Sequence, residues 1–498
     1  MKSIFSDSPF YKIFFFIVAL IFFITAFNSH GFYHADEHYQ IIEFAGLKLG
    51  TNSTTELAWE YESQIRPALQ PTVCFGILKA LNFIKITDPY TQAFLLRMLT
   101  AILALIVIGY FVKQSKDQFE NEKTKKAYFL LSFLLWFIPL ISVRFSSETW
   151  SGLLFLLSLG IFLNSEKSLK KPLLIGVVLG FSFLFRFQTV FLIFGFILWL
   201  LIIKKQFRFI LKVGIGFLTV LLIGFLIDSW FYNKWVFTPW NYFYVNIIEG
   251  AASGFGVSPW YYYLEKLITF PTYFIGIPMA IAFITHIIKS PKNIFLWCII
   301  PFFIIHSIIP HKEERFLFPI VFLFPIILIT AYQILLNSIN SKIIANVFKY
   351  VLVVLFVAVN SFGLIAMSIK SAGIGRMEIT KYIHDKYRGK HINLIFCPYA
   401  NPYNPWQSLP VKFYLEKNMT EVMINNLCEL NDSLYKANAE NLLVIKRVDL
   451  ENTECKAVVA HNNFVLIKQS LPKWEERINQ YYKGFENSEI IMLYRLAK

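Results

Sequence analysis

The residues best suited to catalysis lie in a short motif, HADEHYQ, at positions 34–40. Its two adjacent carboxylates, Asp36 and Glu37, follow the first long apolar run of the chain. A carboxylate in such a place can act as a general base that removes a proton from a hydroxyl group. The polar neighbours in the motif are candidate substrate ligands, namely His34, His38 and Gln40.

Further polar clusters, each set between apolar runs, offer positive charge and hydrogen bonds. Guanidinium and ammonium groups bind phosphate or diphosphate well. The candidate phosphate ligands are His311, Lys312, Arg315, Arg144 and Arg186. The other candidate substrate ligands are Glu314, Asp228 and Tyr232.

A carboxylate together with several cations suits one reaction well, the attack of an acceptor hydroxyl on a sugar carried by a lipid phosphate. The carboxylate would remove the hydroxyl proton, and the cations would stabilise the departing phosphate. The sequence contains neither a nucleotide-binding glycine fingerprint nor a Walker motif. Its five cysteines are scattered and form no CxxC pair, so we predict no metal site. Three of them lie in the C-terminal region, where one pair could form a disulfide in an oxidising compartment, and Cys428 with Cys455 is the preferred pair.

Each cluster taken alone also has a structural explanation. The carboxylate pair could cap an interfacial helix, and the arginines could anchor helix ends by extending to the interface. The HKEERF segment, residues 311–316, could be a solvated turn with internal ion pairs. Asp228 and Tyr232, one helical turn apart, could form a structural hydrogen bond. The predicted location of all these clusters on one side of a membrane favours the functional interpretation.

The composition predicts a protein that crosses a membrane several times. Of 498 residues, 56% are hydrophobic and 16% are charged, and the mean hydropathy is +0.53. Soluble proteins contain about 25% charged residues. The net charge of +15 would raise the question of nucleic acid as a partner in a soluble protein. Here the basic residues lie in short runs between apolar segments, so we interpret them as determinants of membrane orientation and expect no nucleic acid.

Eleven apolar runs are predicted to span the membrane, the first being an uncleaved segment with its start in the cytoplasm. Alternate loops are rich in lysine, which supports this orientation and places the polar clusters on the opposite, outside face. Two outside loops are long, 28–91 and 232–269. The other predicted spans are 92–112, 127–143, 149–164, 172–185, 187–203, 210–231, 270–288, 294–309, 316–336 and 343–368.

After about residue 370 the apolar runs shorten and charged residues become more frequent. We therefore divide the chain into an all-α polytopic membrane domain, residues 1–369, and a small α/β domain outside the cytoplasm, residues 370–498. Alternating patterns predict strands at 392–397, 442–445 and 464–468, and helices at 379–387 and 474–482.

Several of these motifs resemble those of the lipid-linked mannosyltransferases of glycosyltransferase family 22, which extend the GPI-anchor glycan and the dolichol-linked oligosaccharide. Residues 34–40 are similar to the family's HPDEhfQ motif, with Ala35 in place of proline, and residues 311–316 closely resemble its HKEERF motif. The resemblance covers predicted spans one to ten. Its other matches are Trp59-Glu60-Tyr61, Ile65-Arg66-Pro67, Arg144 to Glu148, Arg186 to Thr189 and Asp228 to Tyr263. Cys397-Pro398-Tyr399 is faintly similar to a segment of the GPI-anchor branch but lacks its histidine.

The resemblance implies a GT-C fold and inverting transfer of mannose, without metal or cofactor, from dolichyl- or polyprenyl-phosphate mannose. The acceptor would be a glycolipid or a lipid-linked glycan, and the product an α-mannoside. By motif match, Asp36 would be the base, and Glu37 would assist it or hold the acceptor. His311, Lys312 and Arg315 would lie near the donor phosphate, and Arg144 and Arg186 are further candidates there.

Three alternatives remain open at the level of the sequence. The enzyme could transfer another sugar, such as glucose or an aminoarabinose, to a lipid or protein. The chain could be a transporter, although transporters place polar residues at the bilayer midplane and contain inverted repeats. It could also be a non-catalytic scaffold descended from the enzyme family. The active site would face the periplasm in a bacterial plasma membrane, or the lumen in an endoplasmic reticulum membrane.

Overall fold

The chain divides into two units, each assembled from separate stretches of sequence. In this computed structural model the first unit contains residues up to Asn28, Ser63–Val73 and Leu95–Lys370. The second contains Ser29–Glu62, Cys74–Phe94 and Ser371 onward. The structure describes residues 9–164, 171–336, 342–373, 375–405, 409–482 and 486–497.

Most described residues of the first unit are helical, and shorter helices occur in the second. The helices in chain order are α1 Pro9–Asn28, α2 Ala35–His38, α3 Phe44–Leu49, α4 Leu69–Phe83, α5 Pro89–Ser115, α6 Glu122–Leu134, α7 Phe137–Ser142, α8 Ser147–Leu163, α9 Lys171–Phe185, α10 Val190–Ile202, α11 Phe207–Tyr232, α12 Thr238–Phe243, α13 Tyr262–Thr269, α14 Tyr273–Lys289, α15 Ile294–Ile308, α16 Phe324–Leu336, α17 Lys342–Ile369, α18 Arg376–Tyr387, α19 Thr453–His461 and α20 Lys473–Tyr482. Two π-helical turns, Tyr39–Glu43 and Tyr244–Ile248, and a 3-10 segment, Glu314–Leu323, extend some of these helices.

Every predicted apolar run folds as helix, although not every helix is long enough to cross a bilayer alone. Within the described residues, four segments are long and apolar enough: Pro9–Asn28, Pro89–Gln118, Phe207–Tyr232 and Glu314–Leu335. Helices α14 and α15 together form a fifth candidate, bent by 115°. Shorter apolar helices are Ser147–Leu163, Lys171–Phe185, Phe187–Ile202 and Val353–Ile369. The structure thus supports a membrane protein with several apolar helices.

One predicted span, 127–143, is broken into α6 and α7. The backbone leaves helical geometry at Leu135, where ψ is 128°. The side chain of Asn360 in α17 hydrogen-bonds the backbone groups at the break. Its Oδ1 accepts from Trp136 N at 2.9 Å, and its Nδ2 donates to Leu134 O at 2.7 Å. Backbone groups freed inside a membrane helix need such partners.

Glycines allow close helix packing in the first unit. Helix α9 packs against α8 and α11. A Cβ atom at Gly176 of α9 would lie 2.0 Å from the carbonyl oxygen of Val213, and one at Gly216 of α11 would lie 2.2 Å from that of Leu173. Small residues at such contacts let helix backbones approach closely.

The C-terminal part of the second unit contains a five-stranded mixed sheet. Its strands are β1 Ile392–Phe396, β2 Met419–Met423, β3 Glu440–Lys446, β4 Phe464–Gln469 and β5 Ile491–Leu496, in the order β2-β1-β3-β5-β4. Strand β1 is parallel to β2 and β3, whereas β5 is antiparallel to β3 and β4. The three predicted strands and two predicted helices of this region are present; β2, β5 and α19 were not predicted. The predicted pairing of Cys428 with Cys455 involves a side chain outside the described residues.

Candidate functional site

The HADEHYQ motif folds as a single turn of helix, α2, followed directly by the π-helical turn 39–43. His34 is the N-cap, and the Glu37 carboxylate returns to accept hydrogen bonds from the backbone N–H groups of Tyr33 and His34, the latter at 2.9 Å. This is a capping box, which satisfies donors at a helix start. The helix-capping explanation considered for Asp36 and Glu37 therefore applies to Glu37. The predicted assistance of Glu37 to catalysis stays a prediction.

Asp36 is more exposed than the residues of the motif that follow it. Its side chain is 21% exposed and lies 3.9 Å from His34 Nδ1, whereas Glu37 and His38 are buried. A base must reach the hydroxyl from which it takes a proton. Within the motif, the exposure of Asp36 is consistent with its predicted role, which stays a prediction.

His38 and Gln40 are held by buried carboxylates. His38 Nε2 lies 2.6 Å from Glu43 Oε1, and Gln40 Nε2 donates to Glu60 Oε1 at 2.8 Å. These contacts satisfy His38 Nε2 and Gln40 Nε2, whereas His38 Nδ1 is buried without a hydrogen-bond partner among the described residues. The predicted contact of both side chains with substrate is not tested. Sequence reasoning did not single out Glu43; its spacing of five residues from His38 became informative only with the π-helical turn.

In the first unit, two predicted phosphate ligands converge on one carboxylate. Glu148 Oε1 accepts from Arg186 Nη1 and from Arg315 Nη1, both at 2.8 Å. All three side chains are at least 93% buried. We call Glu148, Arg186, Arg315 and Glu313 the arginine cluster, because Glu313 also bonds Arg315, with Oε2 2.7 Å from Nε.

The elements that bring this cluster together are helix ends. Glu148 lies in the first turn of α8, which Ser146 caps by accepting from Thr149 N at 3.3 Å. Arg186 follows the last residue of α9, and Arg315 lies in the 3-10 segment that continues into α16. Both guanidinium carbons are 5.1 Å from the ring centre of Phe316, a cation–π distance. Arg144, also predicted, is buried and precedes the same α8 cap.

Lys312 bonds to backbone carbonyl groups. Its Nζ donates to Ile309 O at 2.6 Å, to Ser258 O at 3.0 Å and to Pro310 O at 3.5 Å. An ammonium group has three donors, so these contacts use all of them. Burial lowers the pKa of Lys312. Its predicted contact with phosphate stays a prediction, and in this structure it holds residues 258 and 309–310 together.

The neighbouring residues of the HKEERF segment also have partners. His311 Nε2 lies 2.9 Å from Glu313 Oε1. Glu314 accepts from Tyr262 Oη at 2.7 Å and pairs with Lys266 at 3.2 Å. Burial, followed by this hydrogen bond to Glu314, raises the pKa of Tyr262. Internal ion pairs, considered from the sequence, are therefore present, and their side chains are partly buried.

Asp228 and Tyr232 anchor the segment before α4. Asp228 Oδ1 accepts from Ala68 N at 2.7 Å, and Oδ2 accepts from the Thr238 hydroxyl. Tyr232 Oη donates to Arg66 O at 2.8 Å. These contacts do not include the hydrogen bond between Asp228 and Tyr232 that was considered from the sequence. Each side chain instead holds the backbone of the segment before α4. Their predicted contact with substrate is untested.

No group of three or more His, Cys, Asp or Glu side chains within the described ranges is arranged to hold a metal ion. The predicted independence from metal and cofactor stays a prediction.

Comparison with known proteins gives a family match over most of the chain. The model of the Alg9-like mannosyltransferase family matches residues 13–416. GPI mannosyltransferase 3 of Debaryomyces hansenii is 25% identical over 359 residues, 66% of this chain and 60% of the relative. GPI alpha-1,2-mannosyltransferase 3 of Bos taurus is 24% identical over 302 residues, 57% of this chain and 52% of the relative. The chain thus spans 60% or less of the length of these curated relatives.

Among solved structures, the fold is similar to that of ArnT from Cupriavidus metallidurans bound to undecaprenyl phosphate. The TM-score is 0.52, the sequence identity is 12%, and the match covers 98% of each chain. At this identity the likeness concerns the fold alone.

Proposed function

Since the chain belongs to the Alg9-like mannosyltransferase family, we propose that it transfers mannose from a polyprenyl- or dolichyl-phosphate donor to a glycolipid or lipid-linked glycan. The observation that carries the proposal is the arginine cluster, in which two buried guanidinium groups from distant parts of the sequence meet. Guanidinium groups bind the oxygen atoms of a phosphate through paired, charge-assisted hydrogen bonds.

A buried donor supports an anionic ligand near this cluster. Within the cluster, two guanidinium groups face two carboxylates, so its own charges balance. Within the part of the chain that the structure describes, Arg186 Nε is buried without a hydrogen-bond partner. A buried donor without a partner is costly, and a phosphate oxygen would satisfy it.

The proposed reaction is a single displacement. Asp36 accepts the proton of the acceptor hydroxyl while the hydroxyl oxygen forms a bond to the anomeric carbon of mannose. The bond between that carbon and the phosphate oxygen breaks, and the lipid phosphate leaves with the electron pair. Arginine side chains stabilise the charge that develops on the phosphate. Displacement from the opposite side inverts a β-linked donor, so the product is an α-mannoside.

The proposal includes a finer description of the membrane domain. We propose a GT-C fold with eleven spans, in which the bent pair α14–α15 and the shorter helices also cross. The small C-terminal domain and the reacting groups would lie outside the cytoplasm, in the periplasm or in the lumen of the endoplasmic reticulum. The alternation of lysine-rich loops supports this orientation.

The test is transfer by the purified protein. Polyprenyl-phosphate mannose carrying a radioactive sugar is incubated with the protein and a panel of mannosylated lipids, and the products are separated. We expect a labelled product that an α-mannosidase digests. Transfer from another polyprenyl-phosphate sugar but not from the mannose donor would replace the proposed donor. If no sugar is transferred but lipid crosses the bilayer of vesicles that contain the protein, the chain is a transporter rather than an enzyme.

A further inference from the structure

The second unit contains a buried carboxylate, Glu43, directly after the candidate catalytic motif. Glu43 is 1% exposed. Besides its contact with His38 Nε2, it accepts from Asn52 Nδ2 at 2.7 Å and from Phe413 N at 3.1 Å. A buried carboxylate is tolerated only when hydrogen bonds replace its water. These contacts fix Glu43 to three separate stretches of the chain.

The backbone between His38 and Glu43 makes their contact possible. Residues Tyr39–Glu43 form a π-helical turn. In an α-helix, residues five apart point roughly 140° away from each other. In a π-helix, whose hydrogen bonds join residues five apart, they lie on the same side of the turn, and such turns occur often at functional sites. The π-helical turn therefore aligns the imidazole with the carboxylate.

The ring of His38 is also clamped from both sides. It stacks on Phe32, with ring centres 4.9 Å apart, and on Tyr414, with ring centres 5.5 Å apart. At the start of the same helical turn, Glu37 binds the backbone of residues 33 and 34. Helix α2 is thus anchored at both ends, and Asp36 lies between the anchors with its side chain partly exposed.

We propose that Glu43 is a positioning residue: through His38 it fixes the turn that directs the carboxylate of Asp36. This inference rests on the proposed function, in which Asp36 takes the proton. It gives Glu43 and His38 no contact with substrate. A displacement of about 1 Å at a reacting group can lower a rate by about 100-fold, which is the size of effect that loss of this anchor should have.

The test compares Glu43→Gln with Glu56→Gln in the full-length protein. Glu56 belongs to the same unit and is likewise bonded, to Ser53 N at 2.9 Å and to Lys412, but its side chain is 29% exposed. Turnover with polyprenyl-phosphate mannose is divided by the number of donor-binding sites, measured with the same labelled donor. This normalisation removes any loss that comes from unfolded protein. Hydrogen exchange of backbone amides reports where the structure loosens.

For Glu43→Gln we expect kcat per binding site to fall about 100-fold, with donor KM changed less than about threefold. Amides of residues 35–44 should lose protection, and those of α9 and α11 should keep it. Glu56→Gln should match the wild type in all three measurements. His38→Phe keeps the ring stack but removes the nitrogen, so it should reproduce the defect. The double variant should be no worse than either single variant, because both remove one contact.

Two results would overturn the inference. One is a kcat per binding site for Glu43→Gln and His38→Phe within about threefold of the wild type. The other is loss of protection throughout α9 and α11, which would make Glu43 a residue of general stability. Neither result contradicts the proposed function, whose catalytic base is tested separately by the variant Asp36→Asn. If that variant kept full turnover, Asp36 would not be the base, and the inference would lose its premise together with it.

Discussion

Buried carboxylates organise the ionisable side chains of both units. Glu148 binds two arginines in the first unit, and Glu43 binds His38 in the second. In each case the acidic residue is nearly inaccessible to water. Within the HADEHYQ motif, exposure therefore separates the buried side chains that hold others from Asp36, which can meet a substrate.

Replacement of Asp36 by asparagine tests the proposed base. The amide keeps the size of the side chain but cannot take a proton, so we expect kcat to fall by about 10²- to 10⁴-fold. The variant should still insert and elute as the wild type. Asp385→Asn is the control, because Asp385 is half exposed and pairs with Lys381 in the same unit. Wild-type turnover by Asp36→Asn would remove Asp36 from the reaction.

Replacement of Arg315 tests the proposed phosphate contact. We expect Arg315→Ala to raise donor KM by about tenfold or more and acceptor KM by less than about threefold, because the proposed contact of Arg315 is with the phosphate of the donor. Arg315→Lys keeps the charge but loses the paired donors, and its effect should be intermediate. Arg208, exposed at the start of α11, provides the control Arg208→Ala. A larger effect on acceptor KM would contradict the assignment.

The sequence identified the arginines but not the way in which they are held. Residue types and motif matches marked Arg186 and Arg315, which the fold brings to one carboxylate. The roles of Glu43 and Glu60 could not be inferred, because their partners depend on a π-helical turn and on a contact across twenty residues. The carbonyl contacts of Lys312 likewise come from a turn that residue types alone do not define.

At the level of secondary-structure elements, the apolar runs predicted the helices well, but they did not show where those helices are interrupted. Each apolar run is helical, but the break at Leu135 and Trp136 is stabilised by Asn360, more than 220 residues away. The strand β2 escaped prediction because it is an edge strand, with three of its five residues exposed, and shows no apolar run. Such features are set by tertiary partners rather than by local pattern.

Two glycines of α11 provide a matched test of helix packing. Gly216 faces α9 at close range, whereas a Cβ atom at Gly214 would have no described neighbour within 4 Å. Gly216→Ala should therefore destabilise the protein by about 1–3 kcal/mol through overpacking, and Gly214→Ala should be neutral. Thermal unfolding of the purified protein measures both. Equal unfolding temperatures for the two variants would show that α9 and α11 can move apart without loss of stability.

At the level of the whole molecule, contacts between distant parts of the sequence assemble the second unit. Tyr39 donates to Leu409 O, and His30 pairs with Glu378. Composition marked the change near residue 370, but it could not show that residues 29–62 and 74–94 group with the C-terminal region. Such pairings join residues more than 300 positions apart, which local sequence patterns do not specify.

The ion pairs of His384 should make this assembly sensitive to pH. Its Nδ1 lies 2.5 Å from Glu416 Oε1 and its Nε2 lies 2.7 Å from Asp88 Oδ2, so one imidazolium joins two carboxylates. The hydrogen bond to Glu416, opposed by burial and reinforced by Asp88, raises the pKa of His384. The pKa of Asp88 is lowered, because its bonds to Thr91 and His384 outweigh the cost of burial.

The sign of the effect follows from these directions. A histidine with a raised pKa in the folded state contributes stability that is complete below its unfolded pKa of about 6.5, and that is lost as pH rises through the folded value. Asp88 contributes stability above its unfolded pKa, lost only when pH falls further into acid. We expect the unfolding temperature of the wild type to decrease from pH 6 to pH 9 by several degrees more than that of His384→Gln. His461→Gln, which removes a histidine from the end of α19, is the control and should follow the wild type. Parallel curves for wild type and His384→Gln would show that the two carboxylates hold a neutral imidazole, and that residue 384 does not couple this assembly to pH.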